Sequence, residues 1–362
     1  MRIDLEPRPD KSLALEIGAP IAALAAAILL GGMVIWLMGK SPTLAFEVYF
    51  ITPLLEDWSL QEIEMKACPL VLIAIGLSFC FRANLWNIGA EGQFIMGGLL
   101  GGWLAILTHD GAYQDLMGGW WILPAMLALG AIGGAIYGLV PALLKVRFGA
   151  SEILTSLMLV YVAELGLDWL VRGPLKDPKG FNFPQSVTFD EIARLPFLME
   201  GERLHAGVLL ALLAVLAAGV IFARTLLGFE VRLIGEAPRA ARFAGFDDRK
   251  LTLTVFAISG ALAGLAGICE VAGQIGQLQP RLSPGYGFTA IIVAFLGRLS
   301  PVGILIAALV LALTYIGGEA AQVELALPND MTRAFQGLLL MCVLIADTAT
   351  RYRIRLNWGA AR

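Results

Sequence analysis

Apolar residues run along this chain in long blocks, and one block is interrupted in an unusual way. Phe81 to Gly98 reads FRANLWNIGAEGQFIMGG, with Arg82, Asn84, Asn87, Glu91, Gln93 and four glycines set between apolar stretches. This segment is too polar for a simple membrane span and too closely flanked by apolar runs for an ordinary loop. Polar groups at membrane depth are tolerated where protein or a water-filled cavity surrounds them, so the break is expected to line or control a pathway.

The remaining blocks predict about ten transmembrane helices. Ile17 to Met38 is 22 residues without a charge, about 33 Å of helix and enough to span. Ala67–Phe81 and Phe94–Leu107 are short runs either side of the break and suggest discontinuous helices. Further spans are expected at Gly119–Leu144, Glu152–Val171, Leu204–Ala223, Leu251–Val271, Gly285–Gly297, Pro301–Gly318 and Thr332–Ala349. Between them, Gly39–Lys66 reads as a solvent-side segment, Arg172–Arg203 as a long polar loop, and Ala272–Pro284 as a polar connection. Met1–Glu16 is polar and is expected to lie flat or fray. Gly130, Gly133, Gly134 and Gly138 mark a close-packing helix face.

Composition agrees with an all-α membrane protein. Of 362 residues, 58% are hydrophobic and 15% charged, against about 25% charged in soluble domains. The four cysteines lie in or beside apolar runs without a C-x-x-C pair and read as buried packing residues. Charge placement sets topology. With the N-terminus inside, interior segments hold 17 of the 26 Lys and Arg, which puts both termini in the cytoplasm. No cleavable signal peptide is expected, since the first apolar run is too long for one. Residues 67–171 and 251–349 share an order of short span, Gly-containing break, short span and longer spans, entering from opposite sides. That is an inverted internal repeat, with the second break at Ser283–Phe288. The chain is read as one transmembrane domain over 1–362, its first half at about 17–171 and its second at about 204–349.

Enzyme motifs are missing. Gly39-Lys40-Ser41 ends like a P-loop, but the first required glycine falls on Val34. His109 and His205 sit at predicted span ends, where solvation is the expectation, and no cluster has metal-ligand spacing. The longest interior segment, Arg224–Lys250, is basic. Pro238 can begin a short helix through Arg239, Arg242 and Phe243, and Gly245 can stop it. Such a helix suits docking in a partner's groove, and a basic inside loop that obeys topology is the alternative.

FRANLWNIGAEGQFIMGG together with VRLIGEAPRAARFAGF resembles the permease subunits of ABC importers. The branch is the one with ribose, simple-sugar, nucleoside and branched-chain amino acid permeases, and the first motif is most similar to nucleoside and simple-sugar members. The likeness covers Ile17–Arg355. The second motif has Ala237 where such permeases often have Asn, which removes a possible cap. The resemblance implies a bacterial inner-membrane permease for nucleosides or related simple sugars, paired with itself or a sister permease. ATPase subunits would dock on a coupling segment that includes Gly235, Pro238, Arg239, Arg242 and Gly245, and a solute-binding protein would deliver solute outside. The chain itself is expected to bind no cofactor and no nucleic acid, to contact membrane lipid, and to leave ATP hydrolysis to the separate subunit.

For the solute path the candidates are Asn84, Asn87, Glu91 and Gln93, with Trp86 as a stacking surface. The same residues equally suit capping the broken helix ends. Secondary candidates are Glu164 and Asp168, then Glu270, Gln274, Gln277 and Gln279, while Asp347 is expected to pair with the basic tail. Two rivals remain at this stage: a branched-chain amino acid permease, and an ion-coupled secondary transporter using Glu91, Glu164, Asp168 and Glu270.

Overall fold

A computed structural model describes residues 2–7, 13–109, 119–198, 203–328 and 330–357. Among them the chain is almost wholly helical. The order is α1 (Leu13–Leu37), α2 (Pro42–Phe46), a π-helical turn (Glu47–Ile51), α3 (Thr52–Leu55), α4 (Asp57–Arg82), α5 (Ala90–Leu107), α6 (Ile122–Phe148) and α7 (Glu152–Arg172). Then follow α8 (Gly207–Arg224), α9 (Leu226–Glu236), α10 (Pro238–Phe243), α11 (Asp248–Glu270), a π-helical turn (Val271–Ile275), α12 (Tyr286–Leu296), α13 (Pro301–Glu324) and α14 (Asp330–Arg351). Nine helices among the described residues are long and apolar enough to cross a membrane, and α12 is a shorter apolar helix. The expected multi-pass helical architecture is therefore present.

Several boundaries differ from the sequence reading. Ala67–Phe81 is not a short span but the latter part of α4, which starts at Asp57. In its first turns the buried Glu62 is answered by Arg203, whose Nη1 donates to Oε1 at 2.7 Å, and Ser59 Oγ donates back to Glu56 Oε2, just before the helix, at 3.0 Å. Gly39–Lys66, read as a solvent-side segment, is thus largely helical. Likewise α5 takes in Glu91 and Gln93, α11 continues through its π turn to Ile275, and the second break is centred on 276–285. The amino-terminal expectation is corrected too. Arg2–Pro7 forms a strand, antiparallel to Tyr352–Asn357, with Asp4 opposite Arg355. Met1, residues 8–12 and Arg362 lie outside the described residues.

The backbone divides into two compact units, Met1–Leu60 with Leu313–Arg362, and Gln61–Ala312. The first holds a cluster of Ala45, Val48, Tyr49, Ala321, Leu325 and Leu327, and Tyr49 Oη lies 3.3 Å from Thr332 Oγ1. The second is built on α4, α5, α6 and α11. In α4, 89% of the apolar stretch is buried, against 17–22% in α1, α7, α8 and α14. Between apolar helices in lipid there is no hydrophobic drive to associate, so close van der Waals packing must supply the attraction. The glycine face predicted on α6 does this: a Cβ at Gly134 would overlap Gly260 O of α11, and one at Gly138 would stand 2.8 Å from Phe256 O. Cys68, Cys80 and Cys269 are buried, and Cys342 is half-buried.

Candidate functional site

The break opens where α4 ends. Asn84 takes a left-handed conformation (φ 56°), which Asn tolerates better than most residues. Leu85 N–H then returns to Cys80 O at 2.9 Å and Asn84 N–H to Phe81 O at 3.1 Å, so these two carbonyls in the last turn of α4 are satisfied. The side chain of Asn87 turns the chain towards α5. Its Oδ1 accepts from Gly89 N (3.1 Å) and Gln93 Nε2 (3.0 Å), while Nδ2 donates to Gln93 Oε1 (2.9 Å) and Ser259 Oγ of α11 (3.0 Å). Asn87 and Gln93 are 0% and 1% exposed. Both hydrogens and both acceptor positions of the Asn87 amide are therefore used. From α7, Ser156 Oγ accepts from Ile88 N at 3.2 Å.

A second break meets the first. Gly276 (φ 74°) ends the π turn, the chain runs irregularly to Gly285 (φ 109°), and α12 begins at Tyr286. Ser283 Oγ accepts from Gly285 N (3.0 Å) and Tyr286 N (2.9 Å). Glu91, in the first turn of α5, completes the cap: its Oε2 accepts from Gly287 N at 2.5 Å. The Ser283 side chain also hydrogen-bonds Glu91, which is 2% exposed. The two helix N-termini are so close that a Cβ at Gly287 would overlap the Glu91 backbone nitrogen.

Of the five pathway candidates, Asn84 and Trp86 are exposed, and Asn87, Glu91 and Gln93 are buried in the connections just described. Trp86 belongs to an aromatic group with Phe81 (centroids 5.4 Å apart) and Phe295 of α12 (5.8 Å). The neighbouring Arg82 donates to Leu299 O through Nε (3.0 Å) and Nη2 (2.7 Å), and lies 4.0 Å over the Phe222 ring of α8.

The segment after α8 folds as expected from its local signals. Pro238 opens α10, and Gly245 (φ 84°) closes it, with Phe246 N–H returning to Ala241 O at 3.1 Å. Pro238, Arg239, Arg242 and Gly245 are exposed, and Phe243 is 94% exposed. Arg242 pairs with Asp248 at 3.7 Å. Gly235, near the end of α9, does something different: a Cβ there would overlap the carbonyl oxygen of Arg82. The two motifs, 150 residues apart, thus touch backbone to backbone at the end of α4.

Other polar groups gather between the opposite end of α4 and α11. Glu62 holds Arg203 and also receives Gln274 Nε2 at 3.4 Å, Lys66 lies near Glu270, and Tyr286 hydrogen-bonds Glu270. Gln277 meets Gln185 at 3.3 Å, and Gln279 is half-buried. Glu164 is exposed, and Asp168 pairs with Arg172 one turn on. Among described residues no three His, Cys, Asp or Glu converge as metal ligands. His205 departs from expectation. It is 2% exposed, accepts Gly207 N–H on Nδ1 at 3.1 Å, and burial holds its pKa below the ordinary value. His109 is half-exposed beside Asp190 at 3.2 Å. Sequence reasoning missed Glu62, Arg203, Ser259 and Ser283. A serine two residues before the αL glycine of a helix start was a readable cap for Ser283.

Residues 59–344 match the family described as branched-chain amino acid transport system / permease component. The glucose ABC transporter permease protein TsgB13 of Haloferax volcanii is 35% identical, over 98% of this chain and 94% of its own. The guanosine ABC transporter permease protein NupP of Bacillus subtilis is 29% identical, over 94% and 95%. The nucleoside ABC transporter permease protein NupB of Lactococcus lactis is 28% identical, over 91% of each. No solved structure matches the chain. A match spanning most of the sequence, with relatives alike from end to end, means that this protein belongs to the branched-chain amino acid transport system permease component family.

Proposed function

We propose that this permease forms the solute path of an ATP-driven importer for nucleosides or related simple sugars. The observation that carries the reading is the exposed Trp86 ring, backed by Phe81 and Phe295 and placed beside exposed Asn84 at the mouth of the break. A flat aromatic face with an adjacent amide suits a base or a sugar ring. The glucose, guanosine and nucleoside names of the relatives support that class over branched-chain amino acids. In this reading Asn84 and Trp86 meet solute, and Asn87, Glu91 and Gln93 hold the break in shape.

ATP would be handled by a separate ATPase subunit docked on α10 through Pro238, Arg239, Arg242 and the exposed Phe243. The contact of Gly235 with Arg82 supports a direct route from that dock to the break. A second permease is supported by the paired names NupP and NupQ in Bacillus subtilis and NupB and NupC in Lactococcus lactis. A solute-binding protein would supply the outer face. Pairing of the terminal strands brings both ends of the chain to one side, in keeping with two cytoplasmic termini in the inner membrane. The matched order α4–break–α5 and α11–break–α12 supports an inverted repeat across a single permease domain.

The test is uptake of labelled guanosine and glucose by vesicles carrying this chain with its ATPase, second permease and binding protein. ATP-dependent accumulation is expected. Uptake by the purified chain alone, driven by a proton or sodium gradient, would overturn the reading.

A further inference from the structure

The N-termini of α5 and α12 meet at the two breaks, and the group between them is the chain's own. Each helix N-terminus carries about half a positive charge from its aligned peptide dipoles and its unpaired N–H groups. Such ends bind phosphates and carboxylates, and in transporters the ends of broken helices often receive the anionic part of a solute. Here α5 and α12 approach so closely that Gly287 tolerates no side chain. The Glu91 carboxylate stands in the first turn of α5 and accepts from Gly287 N–H, in the first turn of α12, at 2.5 Å. The Ser283 side chain, which itself caps α12, also hydrogen-bonds Glu91. One carboxylate charge thus answers two half-charges of about +0.5 each. At 2% exposure, Glu91 leaves no room for a second anion.

We propose that Glu91 sets the charge specificity of the path. It occupies, from within, the anion site that α5 and α12 create, so solutes bearing a carboxylate or phosphate meet no free positive helix end there. This deepens the importer reading and rests on the break being the solute path. The consequence is a preference for uncharged solutes built into the permease itself, in addition to any choice made by a binding protein.

Chemical rescue tests it on the full-length chain in nanodiscs. Glu91→Ala removes the carboxylate and opens its site. Formate should then raise the melting temperature of the variant saturably and recover at least half of the loss. Formamide, of the same size but neutral, should not, and the wild type should respond to neither. Uridine monophosphate should likewise stabilise Glu91→Ala and leave the wild type unchanged. If the variant does not survive purification, the readout becomes the yield of monodisperse chain after solubilisation in formate against formamide. Equal effects of formate and formamide, or stabilisation of the wild type by formate or uridine monophosphate, overturn the proposal. Failure of the importer reading looks different: a complete wild-type importer takes up neither nucleosides nor sugars, while the formate comparison still reads Glu91.

Discussion

Replacing Asn87 by Ala tests whether the break is locked by its own side chains. The substitution removes four hydrogen bonds of 2.9–3.1 Å, two of them exchanged with Gln93, one with Ser259 and one with Gly89 N. In membrane proteins such bonds average about 0.6 kcal/mol each, so four amount to roughly 2–3 kcal/mol. The larger cost is what stays behind. Gln93 is 1% exposed, and its amide loses both partners at once. A buried polar group left unpaired costs about 1–3 kcal/mol. The expected loss for Asn87→Ala is therefore about 3–5 kcal/mol, measured by unfolding the purified chain in mixed micelles with rising SDS. Adding Gln93→Met, which removes the stranded amide at similar volume, should return part of that loss, giving a coupling of about 1–2 kcal/mol in a double-mutant cycle. A single-variant loss under about 0.5 kcal/mol, or a coupling of zero, refutes the lock. A higher KM for uptake with unchanged stability would instead make Asn87 a solute contact.

Gly235→Leu should push α9 off the end of α4, since even a Cβ overlaps Arg82 O; ATP hydrolysis by the complete importer should persist while uptake falls several-fold, and full uptake would refute the contact's role. Arg239→Glu with Arg242→Glu should uncouple hydrolysis from uptake in a permease that still reaches the membrane, as read from the ratio of the two rates in vesicles. His205 is buried in its neutral form, with a pKa lowered from the usual 6.5. The unfolded chain therefore binds a proton first as pH falls, so stability should drop below about pH 6.5 until the lower folded pKa is reached. His205→Gln should flatten that slope, and an unchanged melting-temperature profile between pH 5 and 7 would count against it.

What could be read in the sequence was what depends on near neighbours. The break announced itself because Asn84, Asn87, Glu91 and Gln93 have no business in an apolar run unless something satisfies them. The ends of α10 were legible because Pro238 and Gly245 act within one or two residues of themselves. What escaped depends on distant partners. Glu62 looks like a solvent-exposed position until Arg203, 141 residues away, arrives at it. His205 looks solvated until Gly273 is seen packed against its ring. The terminal strands are an intermediate case. RIDLEP and YRIRLN both alternate polar and apolar residues with period two, a strand signal. Because the partners lie at opposite ends of the chain, nothing local said that they would pair.

The same distinction explains why the two motifs looked like separate devices. In the sequence, one is a polar break and the other a basic helix. In the fold they share Arg82. Its carbonyl is the surface on which Gly235 rests, and its guanidinium reaches Leu299 O at the turn between α12 and α13 while covering Phe222 of α8. A glycine is required at 235 because backbone must meet backbone, and an arginine serves at 82 because its planar fork can grip one carbonyl with two N–H groups while stacking on a ring. Any displacement of α9 is therefore delivered to the residue at which α4 stops and the break begins, two positions before the left-handed turn at Asn84. Such a contact transmits movement only if neither side can yield, and both sides here are main chain within the last turns of helices α4 and α9. That rigidity makes Gly235 a more informative position than the exposed arginines of α10.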